Sequence, residues 1–456
     1  MEELLFFTGT AVLASSLLIV LYAGKRRLLS FMVTMASLII VLALTVVSLT
    51  IRQAILPSEL STDIVSQTMF LIVLVDALIA VAGFSDPSLE YRYPHGVLIL
   101  VLSSILGLMG IAWSGSLLML FSSWMLFSVS SYALIAIPRD KYSASGAAKY
   151  GLMSLTATNL LLLSIGIIVA SQRSYQLSST MPLARSVAIG VLALLLASIG
   201  FKIGVFPFHA WLPDTYGLSD PLPVSLVAPL SKTAAILALY KLSTLLIQGT
   251  DGLWLTLIGA MAILTMTYGN ITALLQPTLQ GLLAYSSIAQ AGYLLIGVAS
   301  LSLQHGEAYQ YAVYGLTLQL LAYSLAKTGL FLLARTIRRS GEKPPALKNL
   351  NGLGRLNPSL AASAAILTLS LMGMPPLAGF WGKLYLFLAP ASQAPWLTAL
   401  ALLNTGIAAA YYARLIKAIY FEQGEARPLY PSTITAVKIL AMLTVLAGVI
   451  PFFIQP

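Results

Sequence analysis

The chain has 456 residues, of which 58% are hydrophobic and only 9% charged, with a formal net charge of +10. Soluble globular domains carry about a quarter charged residues, so this is an integral membrane protein whose basic excess sits in short loops and serves orientation in the bilayer rather than nucleic-acid binding. It has no cysteine, which excludes iron–sulfur clusters and thiolate metal sites, and its three histidines, His95, His209 and His305, stand far apart near predicted helix boundaries, a poor set for haem or zinc.

The first apolar run has Glu2 and Glu3 before it and Lys25, Arg26 and Arg27 after it. That order does not fit a cleavable signal, so the first helix is expected to stay. A span takes about 20 apolar residues, and on that measure the all-α, polytopic chain is expected to cross the membrane with about fourteen helices. They run 4–23, 28–49, 64–83, 97–113, 117–137, 151–170, 187–213, 221–247, 253–275, 281–299, 309–336, 359–388, 395–420 and 433–454. No linker, low-complexity segment or soluble domain interrupts them. The basic residues sort by loop: Lys25, Arg26, Arg27, Arg92, Arg139, Lys141, Lys149, Arg335, Arg338, Arg339, Lys343, Lys348, Arg355 and Arg427 go to odd-numbered loops, and Arg52, Arg173 and Arg185 to even ones. The positive-inside rule then places both termini on the outer side. The basic loop from Arg338 to Arg355 reads as a solvated surface, with a partner surface as the alternative.

Two helices are expected to be broken. Lys202 lies between Gly200 and Gly204 with Pro207 a turn further on, and the twelfth helix is interrupted at Met374–Pro375–Pro376, a little before Lys383. Irregular backbone at membrane depth is tolerated where it lines protein or a water-filled cavity, and paired breaks point to inverted repeats. The ionisable residues inside apolar runs are Asp76, Lys202, Lys232, Lys241, Lys327 and Lys383. Lys241 suits a snorkelling role near a helix end. The other four lysines lie deep, and at about 2.5–3.5 kcal/mol per central charge they cost roughly 10–14 kcal/mol, more than packing alone accounts for.

Three stretches carry a family resemblance: FKIGVFPFHAWLPDTY at 201–216, followed by Pro221, Pro223 and SKTAA at 231–235; LLAYSSIAQAGYLL at 282–295; and GMPPLAGFWGKLYLF at 373–387. Together they resemble the antiporter-like membrane subunits of respiratory complex I, with relatives in Mrp antiporters and membrane-bound hydrogenases. The third is nearest to the N-type subunit of NADH-quinone oxidoreductase. The lack of a long lateral helix after the last span favours an N- or M-like position over the L type, and Lys383 rather than glutamate tips the choice toward N. The resemblance implies two inverted five-helix repeats, helices four to eight (97–248) and nine to thirteen (253–420), flanked by the N-terminal helices (4–115) and a last helix (433–454). It implies proton transfer along Lys202 as the switched group, Lys232 as relay, and Lys327 and Lys383 toward the other side. Gln319, Gln290, Tyr285, Ser286, Ser287 and His209 are candidates for holding the connecting waters. It further implies M- or L-type and small membrane subunits as partners in an energy-transducing membrane, with quinone, flavin and iron–sulfur clusters on partner chains and no cofactor or metal held by this one.

Departures from the family pattern bear on the mechanism. In FSSWMLFSVSSYAL, Met125 stands where the family has a glutamate on the fifth helix, and Thr278 and Gln280 stand where an acid and a lysine usually open the tenth. Either Asp76 replaces that glutamate as the partner of Lys202, or the subunit is a scaffold that no longer pumps. A stand-alone solute transporter with broken helices is the reading from outside the family.

Overall fold

A computed structural model describes residues 2–24, 26–50, 60–61, 63–84, 94–178, 183–250, 252–303, 306–339, 341–426, 428–449 and 451. Lys25, Arg52, Arg92, Arg427 and His305 lie outside the described residues. The described chain is helical: α1 (Glu2–Ala23), α2 (Arg27–Thr50), α3 (Ile64–Gly83), α4 (Pro94–Trp113), α5 (Leu117–Ala136), α6 (Lys141–Gln172), α7 (Arg185–Ile203), α8 (Trp211–Leu218) and α9 (Pro221–Thr250) come first. α10 (Leu253–Leu274), α11 (Leu279–Ser300), α12 (Glu307–Thr336), α13 (Leu353–Leu356), α14 (Pro358–Met372), α15 (Ala378–Leu388), α16 (Pro395–Tyr420) and α17 (Pro431–Val449) follow. Thirteen of these are long and apolar enough to cross a membrane. With α7 and α8 counted as one broken span, and α14 and α15 as another, fourteen crossings result, as expected.

The connections group by parity. Segments after α2, α4 and α6 meet through the bridges Leu60–Ser114 and Ser116–Gln176, whereas those after α10 and α12 meet through Thr278–Ala346. Segments after α12 and α16 meet where Gly352 N–H donates to Glu422 O. A miscounted span would have mixed these groups.

Both breaks are built alike. Gly204 (φ +80°) and Gly373 (φ +93°) end α7 and α14 in the left-handed region, which favours a residue without a Cβ. Gly204 N–H bonds Gly200 O and Phe201 O while Val205 N–H also reaches Gly200 O; Gly373 N–H bonds Leu369 O and Ser370 O while Met374 N–H reaches Leu369 O. These are Schellman ends, which satisfy carbonyls inside the last turn. The carbonyls of Ile203 and Met372, the last residues of α7 and α14, are left for other donors.

α9, α11 and α12 form the centre; an 18-residue stretch of α9 is entirely buried. Close approach comes from small residues, as in other membrane bundles. A Cβ on Gly269 would stand 2.5 Å from Ala289 N, and one on Gly292 would stand 2.4 Å from Met266 Cγ, so α10 and α11 touch at backbone distance.

Several boundaries differ from expectation. α6 begins at Lys141 rather than 151, capped by Asp140, whose carboxylate accepts from Tyr142 N and Ser143 N; Lys141 and Lys149 are therefore helical, not loop residues. The second half of the broken seventh span extends to Leu218. Arg335 belongs to the last turn of α12, Arg185 opens α7 and Arg355 lies in α13.

Candidate functional site

Lys202, in the last turn of α7, is buried. Its Nζ donates to Ser128 Oγ (3.3 Å) and Ser131 Oγ (3.1 Å) of α5 and stands 5.0 Å and 4.7 Å from the ring centroids of Phe127 and Tyr150, close enough for cation–π attraction. The Tyr150 hydroxyl bonds Ser131 Oγ (3.0 Å) and Ser231 Oγ (3.2 Å). The Tyr150 ring stacks on Trp211 at 4.2 Å, and Trp211 Nε1 donates to Phe201 O, so both halves of the broken span fix that hydroxyl. Ser231 precedes Lys232 on α9.

Lys232 Nζ donates to Ile203 O, the carbonyl left open at the end of α7. An amine there also meets the negative end of the helix dipole. On its other side lies Tyr323 of α12, whose ring centroid is 5.7 Å from Lys232 Nζ and 6.0 Å from Lys327 Nζ. Tyr323 thus stands between the two amines, one turn before Lys327 on the same helix face. Lys327 Nζ donates to Leu283 O (2.7 Å) and Ser286 Oγ (2.5 Å) on α11.

One turn beyond Ser286 lies Gln290. Its Nε2 donates to Leu371 O (3.1 Å) and to the Tyr412 hydroxyl (3.4 Å), and its Oε1 accepts from Gln319 Nε2 (2.7 Å). Lys383 of α15 donates to Met372 O (2.9 Å), the carbonyl next to Leu371 and the open end of α14, with its Nζ 4.5 Å from the Tyr293 ring centroid. Lys383 therefore does for α14 what Lys232 does for α7.

Each of the four lysines has polar or aromatic neighbours, supplied by α5, α6, α7, α11, α12 and α14. Among the described residues none of the four makes an ion pair with a carboxylate. Several buried polar atoms on or next to these residues have no protein partner: Thr233 Oγ1, Ser324 Oγ and Gln319 Oε1. Such atoms are places where ordered water is expected.

The remaining candidates sort differently. Ser286 bonds Lys327 and Gln290 bonds Gln319, while Ser287 Oγ donates back to Leu283 O of its own helix. His209, in the break after α7, packs against Phe206 (5.5 Å) and Tyr268 (4.2 Å) with Nδ1 unpartnered. Tyr285 is half-exposed and meets the same Tyr268 at 6.3 Å; neither residue bonds a lysine. Asp76 does not pair with Lys202, as one account of the sequence had it: its carboxylate bonds Thr328 of α12. Met125 faces outward and is 45% exposed, so no carboxylate replaces the glutamate expected there. Lys241 does not snorkel either. It is buried, pairs with Asp63 at 3.2 Å, and donates to Ser114 O.

Sequence reasoning missed Tyr150, Tyr323, Ser128, Ser131 and Ser231. The helical spacing of Tyr323 from Lys327 was a usable signal, and Ser231 adjoins Lys232; the others have none. It also missed a buried polar knot: Arg335 pairs with Asp220 at 3.5 Å, and Arg338 donates to Leu218 O, Ser219 O and Gln280 Oε1. Burial is the main influence on the Arg338 guanidinium and lowers its basicity from the usual value, with Asp220 opposing. Gln280, where the family has a lysine, bonds Tyr216 O and Ser219 O. Arg335 and Arg338 are structural ties to the α8–α9 turn, whereas Arg339, Lys343, Lys348 and Arg355 of the basic loop are exposed, as the solvated reading expects.

Residues 114–408 match the family described as NADH:quinone oxidoreductase/Mrp antiporter, TM. The chain belongs to this family. This antiporter-like subunit is 31% identical to NADH-quinone oxidoreductase subunit N of Granulibacter bethesdensis, over 81% of the chain and 79% of that protein. It is 29% identical to F(420)H(2) dehydrogenase subunit N of Methanosarcina mazei, over 100% of the chain and 97% of that protein. Its fold superposes on a chain of respiratory complex I from Thermus thermophilus with bound Aureothin, with TM-score 0.84, 28% identity and 97% of each chain covered.

Proposed function

We propose that this antiporter-like subunit moves protons across an energy-transducing membrane along Lys202, Lys232, Lys327 and Lys383, in a complex I-type assembly whose other chains carry the electron transfer. The observation that carries this reading is four buried lysines with hydroxyls, amides and carbonyls around them and, among the described residues, no carboxylate paired to any. An amine bonded to carbonyls and hydroxyls makes those bonds with or without its extra proton. A group held in that way can load and unload, whereas an amine locked to a carboxylate is held charged. Desolvation of four cations is a standing cost that a scaffold has no reason to keep.

In this reading the helix breaks do two things. They place the open carbonyls of Ile203 and Met372 at membrane depth as acceptors for Lys232 and Lys383, and they divide the chain into two similar units. Electron carriers, quinone, flavin and iron–sulfur clusters sit on partner chains, since this chain has no cysteine to hold a cluster. Other membrane subunits cover part of its apolar outer surface, and both termini face the outer side by loop charge.

The second reading, a non-pumping scaffold, rests on the outward Met125 where the family has glutamate. Proteoliposomes of the assembled complex decide between them. Lys202→Ala and Lys327→Ala are each expected to lower the protons moved per electron while electron transfer continues; an unchanged ratio in both would leave the scaffold.

A further inference from the structure

Proline at position 229 lies inside α9 and has no N–H, so the carbonyl four residues earlier, that of Ser225, has lost its helical donor. Its substitute comes from another helix: Thr328 Oγ1 of α12 donates to Ser225 O at 3.0 Å. The same Oγ1 lies 2.6 Å from Asp76 Oδ2 of α3. Asp76 is fully buried, and its Oδ1 has no partner.

A hydroxyl carries one proton, and here it faces two acceptors. If Thr328 gives its proton to the carboxylate, Ser225 O is left buried without a donor and a bare negative charge stays in an apolar interior. If Thr328 gives it to Ser225 O, the 2.6 Å contact is made by a proton on Asp76 itself, a normal O–H···O length. The second arrangement satisfies both bonds and buries no charge.

The surroundings supply no counter-charge. Among the described residues, no basic group lies within ion-pair distance of Asp76. α3 packs on α2, α4, α9, α12 and α17. Arg27 and His95 sit in the first turns of α2 and α4, and Lys438 of α17 is exposed. On α9, Lys232 is turned to Ile203 and Lys241 to Asp63; on α12, Lys327 is turned to Leu283 and Arg335 to Asp220. A metal cation does not fit the spacing. Oxygens gathered at right angles around magnesium or calcium stand about 2.8–3.7 Å apart, and the 2.6 Å contact between Thr328 and Asp76 is shorter than that range.

We propose that Asp76, Thr328 and the Ser225 carbonyl form a proton-binding site on α3, occupied at neutral pH, with Asp76 a neutral carboxylic acid beside the lysine file rather than the counter-ion of a lysine. Only Asp76 lies outside the two implied five-helix repeats, with Ser225 on α9 and Thr328 on α12; the bonds of the site run among these three residues and to no lysine, so it does not depend on whether the lysine file conducts.

Infrared difference spectroscopy of the assembled complex in lipid tests it without turnover, so its failure and that of the pumping reading are told apart. The expected result is a carboxylic-acid carbonyl band at neutral pH that disappears in Asp76→Asn and moves to higher frequency in Thr328→Val, which removes the hydroxyl and keeps the shape. Absence of an Asp76-dependent acid band overturns the proposal. So does a carboxylate signal there that changes when sodium replaces choline in the buffer, which marks a cation site. If Asp76→Asn does not assemble, Thr328→Val decides alone: an unmoved acid band overturns the proposal.

Discussion

Lys232 and Lys241 stand nine residues apart on α9, yet they are held in different ways. Lys241 has a carboxylate, Asp63, which also caps α3 by accepting from Ser66 N at 2.7 Å; Lys232 has a carbonyl and a ring. From sequence they were separable by depth, but the reason was wrong, because the partner of Lys241 is 178 residues away. The same distance hid Asp220, Arg335 and Arg338. An arginine just past an apolar run looks like a loop charge unless its acceptor is in view. Arg335 and Asp220 are both buried, and breaking a buried pair by removing one partner costs about 3–5 kcal/mol, since the other charge stays behind. Asp220→Asn is therefore expected to lower the thermal unfolding midpoint of the purified assembly clearly. Lys149→Ala, which breaks the exposed pair with Asp214, is expected to cost about 0–1 kcal/mol.

At the scale of elements, hydropathy and glycine–proline punctuation were good guides. α3 falls at its expected residues, and both breaks fall where glycine and proline put them. The start of α6 was missed because KYSASGAAK is not apolar, and a hydropathy ruler sees only the part of a helix inside lipid. At about 1.5 Å per residue, its 32 residues run some 48 Å, well beyond a bilayer core. The signal that was present, Asp140 at the N-cap position, is a capping signal rather than a hydropathy one. How the halves of a broken span seat against each other was not legible at all. Gly379, in the first turn of α15, lies so close to α14 that a Cβ there would be 1.8 Å from Ser370 O and 2.7 Å from its carbonyl carbon. The neighbour is backbone and cannot rotate away. Gly379→Ala must push α15 off α14, at a cost of about 1–3 kcal/mol or more, and it moves Lys383 away from Met372 O. Gly406→Ala is the control, since a Cβ there meets open space and alanine improves helix propensity. The expected outcome is a lower unfolding midpoint for Gly379→Ala and an equal or higher one for Gly406→Ala.

Across the whole molecule, the proposed route takes the lysines as a series rather than a set of parallel sites, and a series has a signature in double substitutions. Lys202 and Lys383 sit at different breaks and share no partner. Replacing each by methionine removes a central charge that costs about 2.5–3.5 kcal/mol to bury and gives up charged-donor hydrogen bonds worth about 1.5–3 kcal/mol each, two at Lys202 and one at Lys383, so the two effects largely offset. Each substitution is thus expected to change the stability of the assembly by no more than about 2 kcal/mol, and the double variant by the sum, because distant sites add. Transport is expected to behave in the opposite way. One missing link stops a single file, so Lys202→Met, Lys383→Met and the double variant should share one low residual rate of acidification in proteoliposomes, with electron transfer unaffected. Small, additive changes in stability beside a non-additive loss of transport mark groups kept for function rather than for packing. Two partial losses of transport that multiply in the double variant would mean two independent routes, and the single file would have to be abandoned.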